Sequence, residues 1–218
     1  PGTVATAIED YLKKAPLDPN VRLTWGGEIK RQKESFGALG TAMGIGVILV
    51  YLIMVALYDN FVYPFVVLFS ILVSLVGAIL ALALTSSNMG IFTMLGMLML
   101  LGLVAKNAIL IVDFTNHLKE KGMTTYTALL ESVRERMRPI LMTTIAMVIG
   151  MVPIATATGS GAEWKNGLAW VLIGGLTSSM FLTIIVVPMM YYVVDRIQAK
   201  IQFKKLAKLA DIDVNEEA

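Results

Sequence analysis

Lys106 lies inside a long apolar stretch, residues 89–113, MGIFTMLGMLMLLGLVAKNAILIVD, about two-thirds of the way along it. About 20 apolar residues rising ~1.5 Å each cover the ~30 Å hydrocarbon core of a bilayer, so this stretch is long enough to span one. A lysine at that depth costs on the order of 2.5–3.5 kcal/mol on insertion scales, and it normally faces a bundle interior and finds a partner. Snorkelling to the nearer interface is the alternative, and Asp113, seven residues on, keeps it open. No carboxylate lies well inside any of the apolar segments, so the counter-charge of Lys106 must come from elsewhere. Asn107 adds a donor and an acceptor beside the lysine, and Gly102, one turn back on the same face, leaves room for a neighbouring helix. Further on, Arg136 and Thr143 are seven residues apart and share a helical face. A lysine, an asparagine and a hydroxyl at depth, with an arginine at the mouth, could form a proton path. A carboxylate outside these residues would take up the proton, with the lysine as its charge partner. Protonation would break that pair and change which packing is stable. The plainer alternative is a static polar clamp between helices.

The elements that must position these residues are membrane helices. Hydrophobic residues make up 56% of the 218, mean hydropathy is +0.73, and both place the chain among integral membrane proteins. The expected architecture is all-α, with five spans at about residues 36–58, 64–85, 89–113, 139–156 and 168–194. Residues 1–35 are polar; a short helix over 3–14 and an alternating strand over 21–25 fit the end of a soluble α/β domain whose body lies elsewhere. The chain opens at Pro1 on an already polar segment with no signal peptide, and reads as a piece of something longer.

Lys and Arg near span ends set the orientation. The polar stretch after the third span carries Lys119, Lys121, Arg134, Arg136 and Arg138, and the tail 195–218 carries Arg196, Lys200, Lys204, Lys205 and Lys208. The short loops on the other side offer only Lys165. Both basic regions are expected in the cytoplasm, which puts residues 1–35 outside. In TTYTALLESVRERM, Tyr126, Leu129, Leu130, Val133 and Met137 form an apolar stripe capped by Thr124 or Thr125, suited to a membrane surface, and Ile197 and Ile201 repeat the idea in the tail.

Composition closes other routes. Without cysteine there are no disulfides or thiolate metal sites, and His117 is the only histidine, so no multi-histidine metal site is expected. Nothing points to nucleic acid. Methionine is abundant but reads as flexible core filler. Gly40 and Gly44, with Ala38, Ala42 and Gly46 nearby, read as a close-packing surface, as do Gly174, Gly175, Ser178 and Ser179.

The motif Leu103-Val104-Ala105-Lys106-Asn107-Ala108-Ile109-Leu110-Ile111-Val112-Asp113-Phe114, followed by Arg136-Met137-Arg138-Pro139-Ile140-Leu141-Met142-Thr143, resembles the resistance-nodulation-division (RND) superfamily. It is most similar to the hydrophobe/amphiphile efflux branch, since the heavy-metal branch differs around the lysine. Pro1-Gly2 and Thr24-Trp25-Gly26 resemble the end of the second periplasmic porter half, and the five spans resemble transmembrane helices 8–12. The resemblance implies a secondary active transporter, not an enzyme, that antiports protons and has no cofactor beyond the proton as coupling ion. It implies a homotrimer in the bacterial inner membrane, with residues 1–35 periplasmic and the tail cytoplasmic, working with a periplasmic adaptor and an outer-membrane channel. Lys106 would pair with proton-binding aspartates, with Asn107, Arg136 and Thr143 on the same relay. Those aspartates belong to the remaining half of the transporter, which agrees with the counter-charge missing here. A non-transporting membrane scaffold on the same fold, or an RND relative moving lipids or polypeptide, are the alternatives.

Overall fold

The computed structural model describes residues 2–14, 26–58, 60–87 and 89–216. Six helices follow one another: α1 Gly2–Lys14, α2 Gly27–Tyr58, α3 Tyr63–Thr85, α4 Ile91–Glu120, α5 Thr125–Ala155 and α6 Ala162–Glu216. α1 agrees with the helix expected over residues 3–14. The strand expected over residues 21–25 lies outside the described residues, and no strand occurs among those described. Five of the helices, α2 to α6, are long and apolar enough to cross a membrane.

Helix ends depart from the apolar boundaries in consistent ways. α2 begins at Gly27 rather than at residue 36, because the Lys- and Glu-bearing segment before Phe36 is made of good helix formers, with a Lys30–Glu34 ion pair one turn apart at 3.8 Å. α5 is one helix from Thr125 to Ala155 with Pro139 and Pro153 inside it. The amphipathic stripe after Thr124 is therefore its first part rather than a separate surface helix. Thr124 is the cap, its hydroxyl accepting the Thr127 N–H at 3.4 Å. At the start of α3, the Asn60 side chain accepts the Val62 N–H at 2.8 Å and Pro64 sits in the first turn, where its missing N–H costs nothing.

α3, α4 and α6 make the core, their apolar stretches being far more buried than those of α2 and α5. α3 and α6 approach most closely. A Cβ on Gly174 would stand 3.0 Å from the Gly77 carbonyl oxygen and run into the Ala81 side chain, and a Cβ on Gly77 would run into Ser178. Small residues on both helices are what let two backbones come so near without a hydrophobic drive from lipid. Deeper in the same seam, Ser70 and Thr183 hydrogen-bond at 3.1 Å, both buried. The Gly174–Gly175–Ser178–Ser179 face is thus a packing surface within the chain. α4 lies against this pair, with Leu100, Val104, Ala108 and Val112 fully buried, and α5 joins it where Ser132 donates to the Ile111 carbonyl at 2.9 Å.

Candidate functional site

Exposure along α4 follows a single stripe. Met99, Gly102, Lys106, Asp113, His117 and Glu120 are exposed at spacings of three, four or seven, while Leu100, Leu101, Val104, Ala105, Asn107, Ala108, Ile111 and Val112 are buried. Lys106 therefore stands on the one uncovered face of an otherwise enclosed helix. It lies about 21–23 Å from either end of α4, by the ~1.5 Å rise per residue, which is bilayer depth. Among the described residues it makes no hydrogen bond or ion pair, Asp113 included. A cation at that depth is costly against lipid tails, and the cost falls where it snorkels to an interface or meets a polar or acidic group.

The other expected site residues are placed differently. Asn107 is buried at 5% exposure and does not share a face with Lys106. On α5, Arg136 stacks its guanidinium 4.7 Å from the centre of the Phe114 ring of α4. Its Nε is buried without a hydrogen-bond partner. Thr143 is exposed on the same helix and donates back to Pro139 and Ile140 carbonyls at 3.0 and 3.2 Å. The two helices touch, but no hydrogen bond joins Lys106 to Arg136 or Thr143. The three side chains are arranged along neighbouring helices rather than in one contact. A Cβ at Gly40, Gly44 or Gly102 would meet nothing within 4 Å, so these glycines also border open faces of α2 and α4. No three His, Asp or Glu side chains converge as a metal site among the described residues.

One polar cluster had no counterpart in the sequence reading. At the basic end of the bundle, Asp195 of α6 accepts from Lys119 of α4, from the Tyr63 hydroxyl of α3 at 3.1 Å and from the Thr125 hydroxyl of α5 at 2.7 Å. One turn back on α6, Tyr191 donates to Asn116 of α4. Its ring lies parallel to that of Tyr63, 4.9 Å away, and beneath the Lys119 ammonium at 5.6 Å. Gln198, one turn on, donates to Asn60 at 2.9 Å and so holds the α2–α3 connection. With Lys119 and Asp195 only 28% and 20% exposed, these charge-assisted bonds are partly shielded from water. Asp195 is the first charge after the apolar run of α6, and a carboxylate opening an otherwise basic stretch was the available signal.

A model of the AcrB/AcrD/AcrF family matches residues 1–195. The chain belongs to that family. Among proteins of this RND type, it is 36% identical over 198 residues to the swarming motility protein SwrC of Bacillus subtilis, covering 90% of this chain and 19% of that protein. It is 34% identical over 178 residues to the toluene efflux pump membrane transporter TtgB of Pseudomonas putida, covering 82% of this chain and 17% of that protein. The fold is similar to that of a crystallised heavy metal efflux pump, with a TM-score of 0.77 and 25% identity over 88% of this chain and 20% of the other. The chain thus spans about a fifth of the length of these relatives. It is a multi-pass membrane segment of an RND transporter.

Proposed function

We propose that this chain is the C-terminal transmembrane half of a proton-driven efflux pump subunit in the bacterial inner membrane, and that it supplies the basic side of the proton relay. The observation that carries the reading is Lys106, at bilayer depth on the exposed stripe of α4 and without a hydrogen-bond or ion-pair partner among the described residues. A facing half that presents aspartates would supply the acceptor the lysine lacks and would cover Gly102 and Asp113 as well. When an aspartate is ionised, Lys106 pairs with it; when it takes a proton the attraction falls away, and the packing of the two halves shifts. Arg136, stacked at the basic end, and Thr143, farther along α5, line the route by which the proton leaves. In the same reading the basic end faces the cytoplasm. Assembly as a trimer with a periplasmic adaptor and an outer-membrane channel belongs to the reading too. Substrates would be hydrophobic compounds, in keeping with the toluene in the name of one relative.

The test is Lys106→Met in the complete transporter, an apolar replacement of similar length. With expression matched to the parent, efflux and the proton flux coupled to it should both disappear. Full efflux from this variant would sink the relay reading and reduce Lys106 to a packing residue of a transporter driven in another way.

A further inference from the structure

We propose that Asp195 is a positioning residue that sets the rotation of α4 and α5, and with it the outward presentation of Lys106 and the seating of Arg136 against Phe114. The role assigned to those two residues rests on the relay described above; the role of Asp195 in orienting the helices does not.

The geometry begins with α4. At 3.6 residues per turn, Lys119 stands about 140° round the helix from Lys106, so a pin at Lys119 turns Lys106 away from the core. That pin is the ion pair with Asp195, reinforced by the hydrogen bond from Tyr191 to Asn116 three residues earlier on α4. Burial along α4 changes from residue to residue: Ala105 is 3% exposed, Lys106 is exposed, and Asn107 is 5% exposed. A slip of one residue, about 100° of rotation, would drive the ammonium into the apolar core. The apolar contacts of Leu100, Val104 and Ala108 do not by themselves distinguish closely related rotations as sharply as a directional bond to a fixed carboxylate does.

α5 is held by the same group. Thr125, in its first turn, donates to the second carboxylate oxygen, while Lys119 and Tyr63 take the first. One side chain therefore fixes the ends of three helices against α6, and two of them carry the relay. Asp195 lies about 20 Å along the bundle from Lys106, by the rise from Lys106 to Lys119. It cannot touch the reacting groups and acts through the helices alone.

The experiment uses the complete transporter with any other cysteines replaced, since this chain has none. Single thiols are introduced by Ala108→Cys on α4 and Ile140→Cys on α5, both buried positions, and their rates of reaction with a membrane-permeant maleimide are read. Asp195→Asn should raise both rates on the order of tenfold, as expected when a coupled pair is broken. Lys119→Met should raise the rate at position 108 alone, Thr125→Val the rate at 140 alone, and Lys119→Arg should leave both near the parent. Thr125→Val removes a single hydroxyl, so it reports even if Asp195→Asn assembles poorly. In the same membranes Asp195→Asn should lower the maximal transport rate with the substrate KM unchanged. Labelling that stays at the parent rate in Asp195→Asn and Thr125→Val overturns the proposal. Labelling that rises while transport is untouched upholds the orienting role and overturns the relay reading instead.

Discussion

The guanidinium of Arg136 lies 4.7 Å over the ring of Phe114, and this stacking joins the helix that carries the exposed lysine to the helix that carries Thr143. Arg136 is otherwise poorly provided for, since its Nε is buried without a partner. A planar, delocalised cation stacks on an aromatic face where an ammonium would not sit in the same way.

The first prediction concerns this pair. A cation–π contact contributes about 0.5–2 kcal/mol. Phe114→Leu in the complete transporter should therefore slow transport a few-fold, while Phe114→Tyr should stay close to the parent. Arg136→Lys should lose as much as Phe114→Leu or more. Initial rates of substrate efflux in proteoliposomes, at matched protein content, check all three. Equal rates for Phe114→Leu and the parent would show that the stacking does not hold Arg136 in a working position.

The glycines divide into two classes, and the division is testable. Gly77 and Gly174 have neighbours where a Cβ would go, while Gly40 and Gly44 have none within 4 Å. Overpacking a tight contact costs about 1–3 kcal/mol. Gly174→Val should thus weaken the α3–α6 seam in this chain itself, lowering its thermal midpoint in detergent. Gly40→Val should leave that midpoint unchanged. If α2 packs on the rest of the transporter through Gly40 and Gly44, then Gly40→Val should destabilise the complete assembly only. Circular dichroism melts of the two forms separate the cases.

How far the sequence discloses this molecule depends on the range of the interaction. Five apolar runs of about the length that spans a bilayer locate α2 to α6, because burial in lipid demands continuous apolar helix. Their ends are harder to read. α5 continues through Pro139, although a proline and the residue before it usually mark a boundary. The apolar pattern begins only after Pro139, so the first part of the helix looks like a separate amphipathic piece. Lys106 is conspicuous because charge inside an apolar run is rare. Asn107 is misleading for a local reason: adjacent residues on a helix diverge by about 100°, and only the packing shows which of them faces inward. The Asp195 cluster is the least legible feature. Tyr63 and Asp195 are separated by 132 positions, and although a carboxylate opening a basic stretch marks Asp195, nothing local names its partners. Only the meeting of four helices makes them partners.

A third prediction tests the polar contact inside the α3–α6 seam. Ser70 and Thr183 bond to each other at 3.1 Å, both buried, and Ser179 lies 3.3 Å from Thr183 as a second partner. Interhelical hydrogen bonds of this kind average about 0.6 kcal/mol in double-mutant cycles within a membrane protein. Ser70→Ala should therefore cost little, because Thr183 retains Ser179. Thr183→Val removes both contacts and should cost about twice as much. Reversible unfolding in mixed micelles measures the difference. A loss of several kcal/mol for Ser70→Ala would mean that the seam depends on this one bond rather than on close backbone approach.

The last prediction concerns the space above the lysine. Gly102 stands one turn before Lys106 on the exposed stripe, and a Cβ there would meet nothing in this chain. Gly102→Trp should accordingly leave the chain's own helical content and thermal midpoint unchanged. In the complete transporter the outcome depends on what covers the stripe. If a second helix layer packs there closely enough to bring a carboxylate to Lys106, no room for an indole remains, and close-packed interiors tolerate little added volume. Transport should then fall at least tenfold, while Gly102→Ala, adding one methyl group, should have a far smaller effect. The order Gly, Ala, Trp in falling transport rate, with unchanged amounts in the membrane, is the signature of a covered face. Full activity in Gly102→Trp would mean that the stripe opens onto lipid or water. Lys106 would then have no protein partner at its own depth.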